Sequence, residues 1–192
     1  FTTHQITGVM DMLNVKYLLV KENNEQNPIE NPNVHGVAWA VDSLLVADTA
    51  DGVLASMKSM DFSREAVVLK SEFPDNMIVK YDAQQLDKIE LIKNHPTKLT
   101  YDFQAREDQF LVFSEMYYPH GWSVNIDKQN ASIFPVNYVL RGLRVPAGKH
   151  TIEFTFDPPV IRTGGMIRLI TLLVFISVLT LFGYRRFKEK SN

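Results

Sequence analysis

The feature that most constrains this chain is an almost purely apolar run over residues 166–184, which is followed at once by a basic segment. At about 1.5 Å rise per residue, a helix of these 19 residues reaches roughly 28 Å, close to the thickness of a bilayer's hydrocarbon core. Apolar side chains cover every face of this helix. Arg168 is the single charge inside and lies near one end, where its long side chain can reach the headgroups. We therefore predict a transmembrane helix over residues 161–184 and a basic tail over residues 185–192.

The distribution of positive charge predicts the orientation of this helix. Four Lys or Arg residues follow the apolar run directly, against Arg162 and Arg168 at its start. The positive-inside rule then places the C-terminus in the cytoplasm and the preceding domain outside it. The chain starts at Phe1 with no export signal for such a domain. We therefore expect the last piece of a longer, multi-span protein, with the lipid bilayer and the rest of that parent chain as partners.

Composition excludes several classes of function. Residues 1–161 carry 14 Lys and Arg against 21 Asp and Glu, a net charge of −7, whereas residues 162–192 carry six against one, a net charge of +5. The outer part lacks the basic stripe that phosphate neutralisation needs, so nucleic acid is not an expected partner. The chain has no cysteine, which excludes disulfides and thiolate sites.

Two patterns of apolar residues divide the rest of the chain. Residues 1–75 alternate helical and strand patterns, with an apolar buried strand over residues 15–20 and a surface loop rich in Asn and Pro over residues 21–34. Residues 76–160 change to the period-two pattern of half-buried antiparallel strands. Six or seven such strands predict a β-sandwich, immunoglobulin-like or jelly-roll-like. We predict an α+β fold: a small α/β subdomain, then an antiparallel β-sandwich, then one C-terminal transmembrane helix.

Few patterns in the sequence carry catalytic chemistry. It contains no nucleophile elbow, no paired zinc-binding histidines and no phosphate-binding glycine loop. The five histidines are scattered without metal-ligand spacing, so we expect no metal site and no cofactor. Two pairs of carboxylates, Asp82 with Asp87 and Asp102 with Glu153, could converge only through the fold. Such a pair is what a self-standing membrane-anchored hydrolase needs, and this class stays open as an alternative.

Aromatic side chains are densest over residues 115–122, where a strand, a turn and a second strand meet. Aromatic faces beside polar groups can stack on sugar rings, which makes Tyr117, Tyr118 and Trp122 the candidate glycan-binding residues. Trp122 begins a strand whose inward face is apolar, and the stronger interpretation of its ring is a core position. The two tyrosines are therefore the better candidates for an exposed contact.

Three ordered blocks of residues resemble the C-terminal outer domain of the YfhO family of bacterial membrane proteins. They are Glu115-x-Tyr117-Tyr118-Pro119-x-Gly121-Trp122-x-Val124-x-Ile126-Asp127, Asn137-Tyr138-Val139-Leu140-Arg141-Gly142 and Val145-Pro146-Ala147-Gly148-Lys149-His150-Thr151-Ile152-x-Phe154. The earlier part of the chain is similar to the family's preceding region. Two turns depart from the family pattern: His120 is inserted before Gly121, and Asp127-Lys128-Gln129 replaces Asp-Gly-Lys. Such changes alter loops and leave a sandwich intact.

The resemblance implies a role for the longer protein. It implies a polytopic, GT-C type glycosyltransferase that moves a sugar from a polyprenyl-phosphate carrier to a cell-envelope glycopolymer in the bacterial cytoplasmic membrane. The catalytic acid of such proteins lies in an early outer loop that this chain lacks, so no catalytic residue is assigned here. The segment would be extracytoplasmic and non-catalytic, placing a glycan or capping the membrane part. A structural or interaction module without glycan contact is the other alternative.

Overall fold

The computed structural model describes residues 3–22, 25–74 and 78–190. The helices are α1 (Thr3–Met12), α2 (Ala50–Ser56) and α3 (Pro159–Lys190). The strands are β1 (Tyr17–Glu22), β2 (Glu25–Glu30), β3 (Ala38–Val41), β4 (Ser43–Ala47), β5 (Glu65–Leu69), β6 (Leu86–His95), β7 (Lys98–Ala105), β8 (Gln109–Met116), β9 (Trp122–Ile126), β10 (Gln129–Ala131), β11 (Phe134–Val136), β12 (Leu140–Val145) and β13 (Gly148–Phe156). The contacts divide the chain into two compact units, Phe1–Phe156 and Asp157–Asn192.

Two sheets form the sandwich of the first unit. One is antiparallel, with the strand order β10-β9-β13-β7-β6, and the other has the order β3-β8-β12-β11-β5-β4. In the second sheet β4 and β5 pair in parallel, whereas the other pairs are antiparallel. Apolar side chains from both sheets form the core between them; among the fully buried ones are Tyr101, Phe103, Leu111, Phe113, Val124, Val145 and Ile152. The structure thus confirms the predicted α+β fold with a β-sandwich.

The second sheet is buried on both of its faces. Along β8, Leu111 and Phe113 belong to the core between the sheets, whereas Phe110 and Val112 belong to a second apolar cluster on the opposite face. That cluster also contains Met12 at the end of α1. A strand that is apolar on both faces needs cover on both sides, and here the cover comes from the first part of the chain. Strands β3, β4 and β5, expected in a separate α/β layer, pair within this sheet.

The β1–β2 hairpin corrects two expectations. The strand predicted as buried is exposed, because the side chains of Tyr17 and Leu19 are 62% and 69% accessible. The segment predicted as a surface loop contains β2, which pairs antiparallel with β1. The predicted boundary between residues 75 and 76 stays a prediction, since residues 75–77 lie outside the described residues.

A tight turn joins two of the later strands. Asp127 and Lys128 have φ angles of 50° and 71° and form the hairpin between β9 and β10. Positive φ at both central positions is the geometry of a type I′ turn, which glycine or asparagine adopts most easily. The Asp127 carboxylate also accepts hydrogen bonds from the Thr151 backbone N–H, at 2.8 Å, and from His150, at 2.6 Å. This turn is therefore joined to the neighbouring β13.

The second unit contains the apolar helix α3. Its segment Pro159–Phe182 is long and apolar enough to cross a membrane, and none of it is buried inside the protein. The hydroxyls of Thr171 and Ser177 donate to carbonyls four residues earlier in the helix, at 2.8 Å each. Polar groups satisfied within their own helix are compatible with a lipid environment. Residues 191 and 192 of the predicted basic tail lie outside the described residues.

Candidate functional site

The aromatic segment forms one wall of a cleft at the end of the sandwich. Residues 117–121, which we call the cleft loop, join β8 to β9. The cleft has a volume of about 300 Å³. It is lined by Tyr117, Tyr118, Pro119, Trp122, Ser123, Val124, Asn130, Ala131 and Ile133. All three candidate glycan-binding residues thus lie in a single cleft.

The three aromatic residues differ in how much surface they offer. Tyr118 is half exposed, with 50% of its surface accessible, whereas Tyr117 and Trp122 are partly buried. Burial raises the pKa of Tyr117, and the carboxylate of Glu72 acts in the same direction, so its hydroxyl stays protonated at neutral pH. Trp122 has two roles: its partly buried side chain packs against the core between the sheets, and it also lines the cleft.

Further rings hold this wall together. The Trp122 and Phe156 rings lie 5.1 Å apart between centroids, and Tyr118 lies 6.4 Å from Phe156. The inserted His120 packs edge-on against Tyr118 at 5.7 Å. Tilted and edge-to-face arrangements of this kind are favourable for aromatic pairs. The cleft loop is also fixed by its backbone, since the Tyr117 N–H donates to the Val139 carbonyl at 2.7 Å.

A buried cation lies behind the wall. Arg141 on β12 is only 3% exposed, and its guanidinium carbon lies 4.2 Å from the centre of the Trp122 ring. Its Nε donates to the Met116 carbonyl at 2.9 Å, and its Nη2 lies 3.6 Å from the Glu115 carboxylate. Burial lowers the pKa of Arg141, although the nearby Glu115 opposes this shift. Arg141 is thus buried between the two sheets, with Glu115 as its acidic partner.

The cleft contains polar groups but no charge. Among the described residues that line it, Ser123 and Asn130 carry polar side chains beside the tyrosine hydroxyls, and none is charged. Asn130 comes from β10, where it pairs with Asn125 of β9. Rings with hydroxyl and amide groups at their edges can stack on a flat ligand and orient it by hydrogen bonds. Within this described lining there is no Asp, Glu, His, Lys or Arg side chain.

The carboxylates considered for a hydrolase have other partners. Asp102 lies 2.8 Å from the Lys88 ammonium, and Glu153 lies 2.6 Å from that of Lys98. Asp87 pairs with Arg106, at 3.1 Å. Asp82 accepts a hydrogen bond from the Gln84 N–H at 3.0 Å, as a cap of a short 3₁₀ turn. Each of these carboxylates therefore has a structural partner, which lowers the support for the hydrolase alternative.

The described part of the chain shows no cluster of three or more His, Asp or Glu side chains that could hold a metal ion. One of its histidines, His150, pairs with Asp127 and stacks on Phe103. The hydrogen bond to Asp127 raises the pKa of His150 and lowers the pKa of Asp127. Asp127 lies in the β9–β10 turn and His150 on β13, and neither residue lines the cleft.

Sequence reasoning missed the far side of the cleft and the cation behind it. Asn130, Ala131 and Ile133 reach the aromatic wall only because the Asp127–Lys128 turn folds β10 back onto β9. That turn could be recognised in the sequence, and it was the available signal for Asn130. The sequence carries no signal for the burial of Arg141, because alternation along a strand does not say which face of it is covered.

Comparison with known proteins agrees with the resemblance found in the sequence. The family model described as "Bacterial membrane protein YfhO" matches residues 57–168, more than half of the chain. A Bacillus subtilis (strain 168) protein, named "Uncharacterized protein YfhO", is 28% identical over 101 residues. This match covers 53% of the present chain and 11% of the Bacillus protein, so the chain spans a small part of that relative. No solved structure matches the chain.

Proposed function

This chain belongs to the YfhO family of bacterial membrane proteins, and we propose that it forms the C-terminal extracytoplasmic module and last membrane helix of a multi-span protein. The matched relative is about nine times longer than the matched segment, which supports a longer parent chain. Two basic residues, Arg162 and Arg168, lie at the start of the apolar segment, whereas four Lys or Arg residues follow its end. This difference supports a cytoplasmic C-terminus. The partners of this segment are then the lipid bilayer of the cytoplasmic membrane and the rest of the parent.

The orientation can be tested directly, because the chain contains no cysteine. Single cysteines are introduced as Glu107→Cys, at an exposed position between β7 and β8, and as Asn192→Cys at the C-terminus. Intact cells are treated with a membrane-impermeant maleimide. We expect labelling of the first variant from outside and of the second only after the cells are permeabilised. The opposite pattern would overturn the proposed orientation.

For the parent protein we propose transfer of a sugar from a polyprenyl-phosphate carrier to a cell-envelope glycopolymer. The role of the present segment is then to place the glycan near the membrane surface, without itself carrying out the reaction. The observation that carries this role is the cleft, which combines three aromatic residues with uncharged polar groups. Such a lining suits a sugar ring, whose apolar face stacks while its hydroxyls form hydrogen bonds.

Sugar binding can be measured on the full 192-residue chain in lipid nanodiscs. Soluble gluco- and N-acetylglucosamine oligosaccharides are titrated while the tryptophan indole N–H resonances are followed by NMR. The protein has two tryptophans, Trp39 and Trp122, of which Trp39 is 8% exposed and donates to the Phe62 carbonyl at 2.9 Å. Only the Trp122 resonance should shift. Trp122→Phe assigns the two resonances.

A matched pair of variants shows whether the binding is specific for the cleft. Tyr118→Ala removes the more exposed tyrosine of the cleft, whereas Tyr17→Ala removes a tyrosine that is 62% exposed on β1. We expect the first to weaken binding about tenfold, consistent with a lost aromatic contact of about 1.4 kcal/mol, and the second to leave it unchanged. Absence of any sugar-dependent shift at Trp122 would favour a structural module without glycan contact. In the full-length parent, Tyr118→Ala should also lower incorporation of sugar into the envelope polymer.

A further inference from the structure

Arg141 contacts the protein on both sides of the cleft loop. The loop starts after Met116 and ends before Trp122. The Arg141 Nε donates to the Met116 carbonyl at 2.9 Å, and its guanidinium lies over the Trp122 ring at 4.2 Å. From this geometry we infer that Arg141 is a positioning residue, which holds the cleft loop in the shape that accepts an uncharged sugar ring. This inference rests on the proposed glycan-binding role of the cleft.

The strand ladder is irregular just before Met116. Between Leu140 and Arg141 the register of β12 against β8 shifts: Leu140 pairs with Met116, whereas Arg141 pairs with Phe113. Two residues of β8 are therefore outside the regular ladder just before the cleft loop begins. Bulges of this kind re-aim the strand that carries them. The Arg141 side chain reaches past these two residues and adds a hydrogen bond to the Met116 carbonyl, just before the cleft loop.

The burial of Arg141 is difficult to explain by packing alone. Its neighbours on the same face of β12, Leu143 and Val145, are apolar and fully buried. Burying a cation in such a place is costly unless its donors are satisfied. The Nη1 of Arg141 is buried, and the described residues offer it no hydrogen-bond partner. Only a planar guanidinium can donate to a carbonyl through Nε and stack on an aromatic ring at the same time, which lysine or an apolar residue cannot do.

The lining of the cleft indicates the class of ligand. Arg141 lies on the Trp122 ring of the wall but is itself 3% exposed, and none of the described lining residues is charged. A phosphate group entering the cleft would meet Tyr118, Ser123 and Asn130, and it would lose hydration without gaining a cation. A neutral sugar meets rings for its apolar face and uncharged hydrogen-bonding groups for its hydroxyls. The ligand is therefore a neutral sugar unit of a glycan, and not its phosphate groups.

The test uses the full chain in nanodiscs and two matched pairs of probes: glucose with glucose 1-phosphate, and N-acetylglucosamine with its 1-phosphate. The variant is Arg141→Lys, which keeps the charge and removes the planar fork. The control is Arg144→Lys on the same strand, where Arg144 pairs with Asp108 at 2.8 Å and does not line the cleft. We expect both neutral sugars to bind more tightly than their phosphates. We also expect Arg141→Lys to weaken sugar binding about tenfold, while Arg144→Lys leaves it unchanged.

The Trp39 indole resonance serves as a check on folding in each variant. If Arg141→Lys does not fold, the Nε–H resonance of Arg141 is followed in the wild-type chain instead. This proton should exchange slowly with water, and its resonance should shift when a sugar binds. An Nε–H resonance unmoved by bound sugar, or equal sugar affinity in the folded Arg141→Lys variant, overturns the inference and leaves the proposed glycan site standing. Tighter binding of the sugar phosphates overturns the ligand class. Failure of every sugar to shift Trp122 overturns both proposals.

Discussion

Replacing Gly142 with alanine tests how closely β12 packs against its neighbours. A Cβ added at this position would lie 2.6 Å from the Cζ of Phe110 and 2.6 Å from the Cγ1 of Val136. Carbon atoms pack favourably at about 3.5–4.0 Å, so these groups would have to move by about 1 Å. Phe110 has no accessible surface, and its ring already contacts Phe73 and Phe134. It therefore has no open space into which it could move.

The expected loss follows from the cost of overpacking a core. Such substitutions typically cost about 1–3 kcal/mol, and we expect Gly142→Ala to lie near the upper end because both contacts are with fully buried groups. For a folded unit of this size, about 2–3 kcal/mol corresponds to a decrease in Tm of about 5–10 °C. The Tm is measured by near-ultraviolet circular dichroism of the full chain in detergent micelles.

Two further variants decide whether the clash is the cause. Gly164→Ala adds the same methyl group in α3, where nothing lies within 4 Å, and should not lower the Tm. Phe110→Leu shortens the side chain that the new methyl group at position 142 would meet, so Gly142→Ala should cost less in that background than in the wild type. A Tm within about 1 °C of the wild-type value, or an equal loss in both backgrounds, would refute the reasoning.

Three other predictions concern turns and their contacts. The pKa of His150 is raised above 6.5 and that of Asp127 is lowered below 3.8, chiefly by their mutual hydrogen bond. The pair therefore makes its full contribution to stability between the two ordinary pKa values, from about pH 3.8 to about pH 6.5. Stability is lost as the pH rises through the raised histidine pKa, and lost in acid as it falls through the lowered aspartate pKa. In urea unfolding experiments at several pH values, His150→Gln should remove the decrease in stability that the wild type shows as the pH rises. An unchanged pH dependence in this variant would contradict the assignment. Lys128→Gly should increase stability by up to about 1 kcal/mol, since φ is 71° there, and an unchanged Tm would count against strain at this turn. Asn137 is fully buried and its Oδ1 accepts from the Val67 N–H at 2.9 Å. Asn137→Ala should cost about 2–3 kcal/mol and speed hydrogen exchange at that amide, whose continued protection would disprove the role.

Several elements could be predicted because their signals are local. Thr49 is of a residue type that favours helix caps, and its hydroxyl accepts from the Gly52 N–H at 3.1 Å at the start of α2. The period-two pattern predicted over residues 76–160 includes Leu99, Tyr101 and Phe103, and all three side chains are buried in β7. Each signal depends on residues a few positions apart. The prediction of β1 as a buried strand was wrong because apolar composition does not say whether another element covers the strand.

The candidate site was predicted only in part. Tyr117, Tyr118 and Trp122 were found because they lie within six residues of one another, and their density alone marked the segment. Asn130 was not assigned, because its place in the cleft depends on the pairing of β10 with β9. Arg141 was not assigned either, because the sequence does not reveal that the second sheet is covered on both sides.

By itself, the sequence determined the elements whose pattern lies within one stretch of chain: the apolar helix, the alternating strands and the tight turns. These follow from helix length, side-chain periodicity and backbone preference, which act between near neighbours. Only the tertiary structure decided that β5 pairs beside β11, through Val136 and Val68, and that Arg141 lies behind Trp122. Contacts between residues so far apart depend on which apolar faces can be buried together, and this choice is made by the packing of the whole unit.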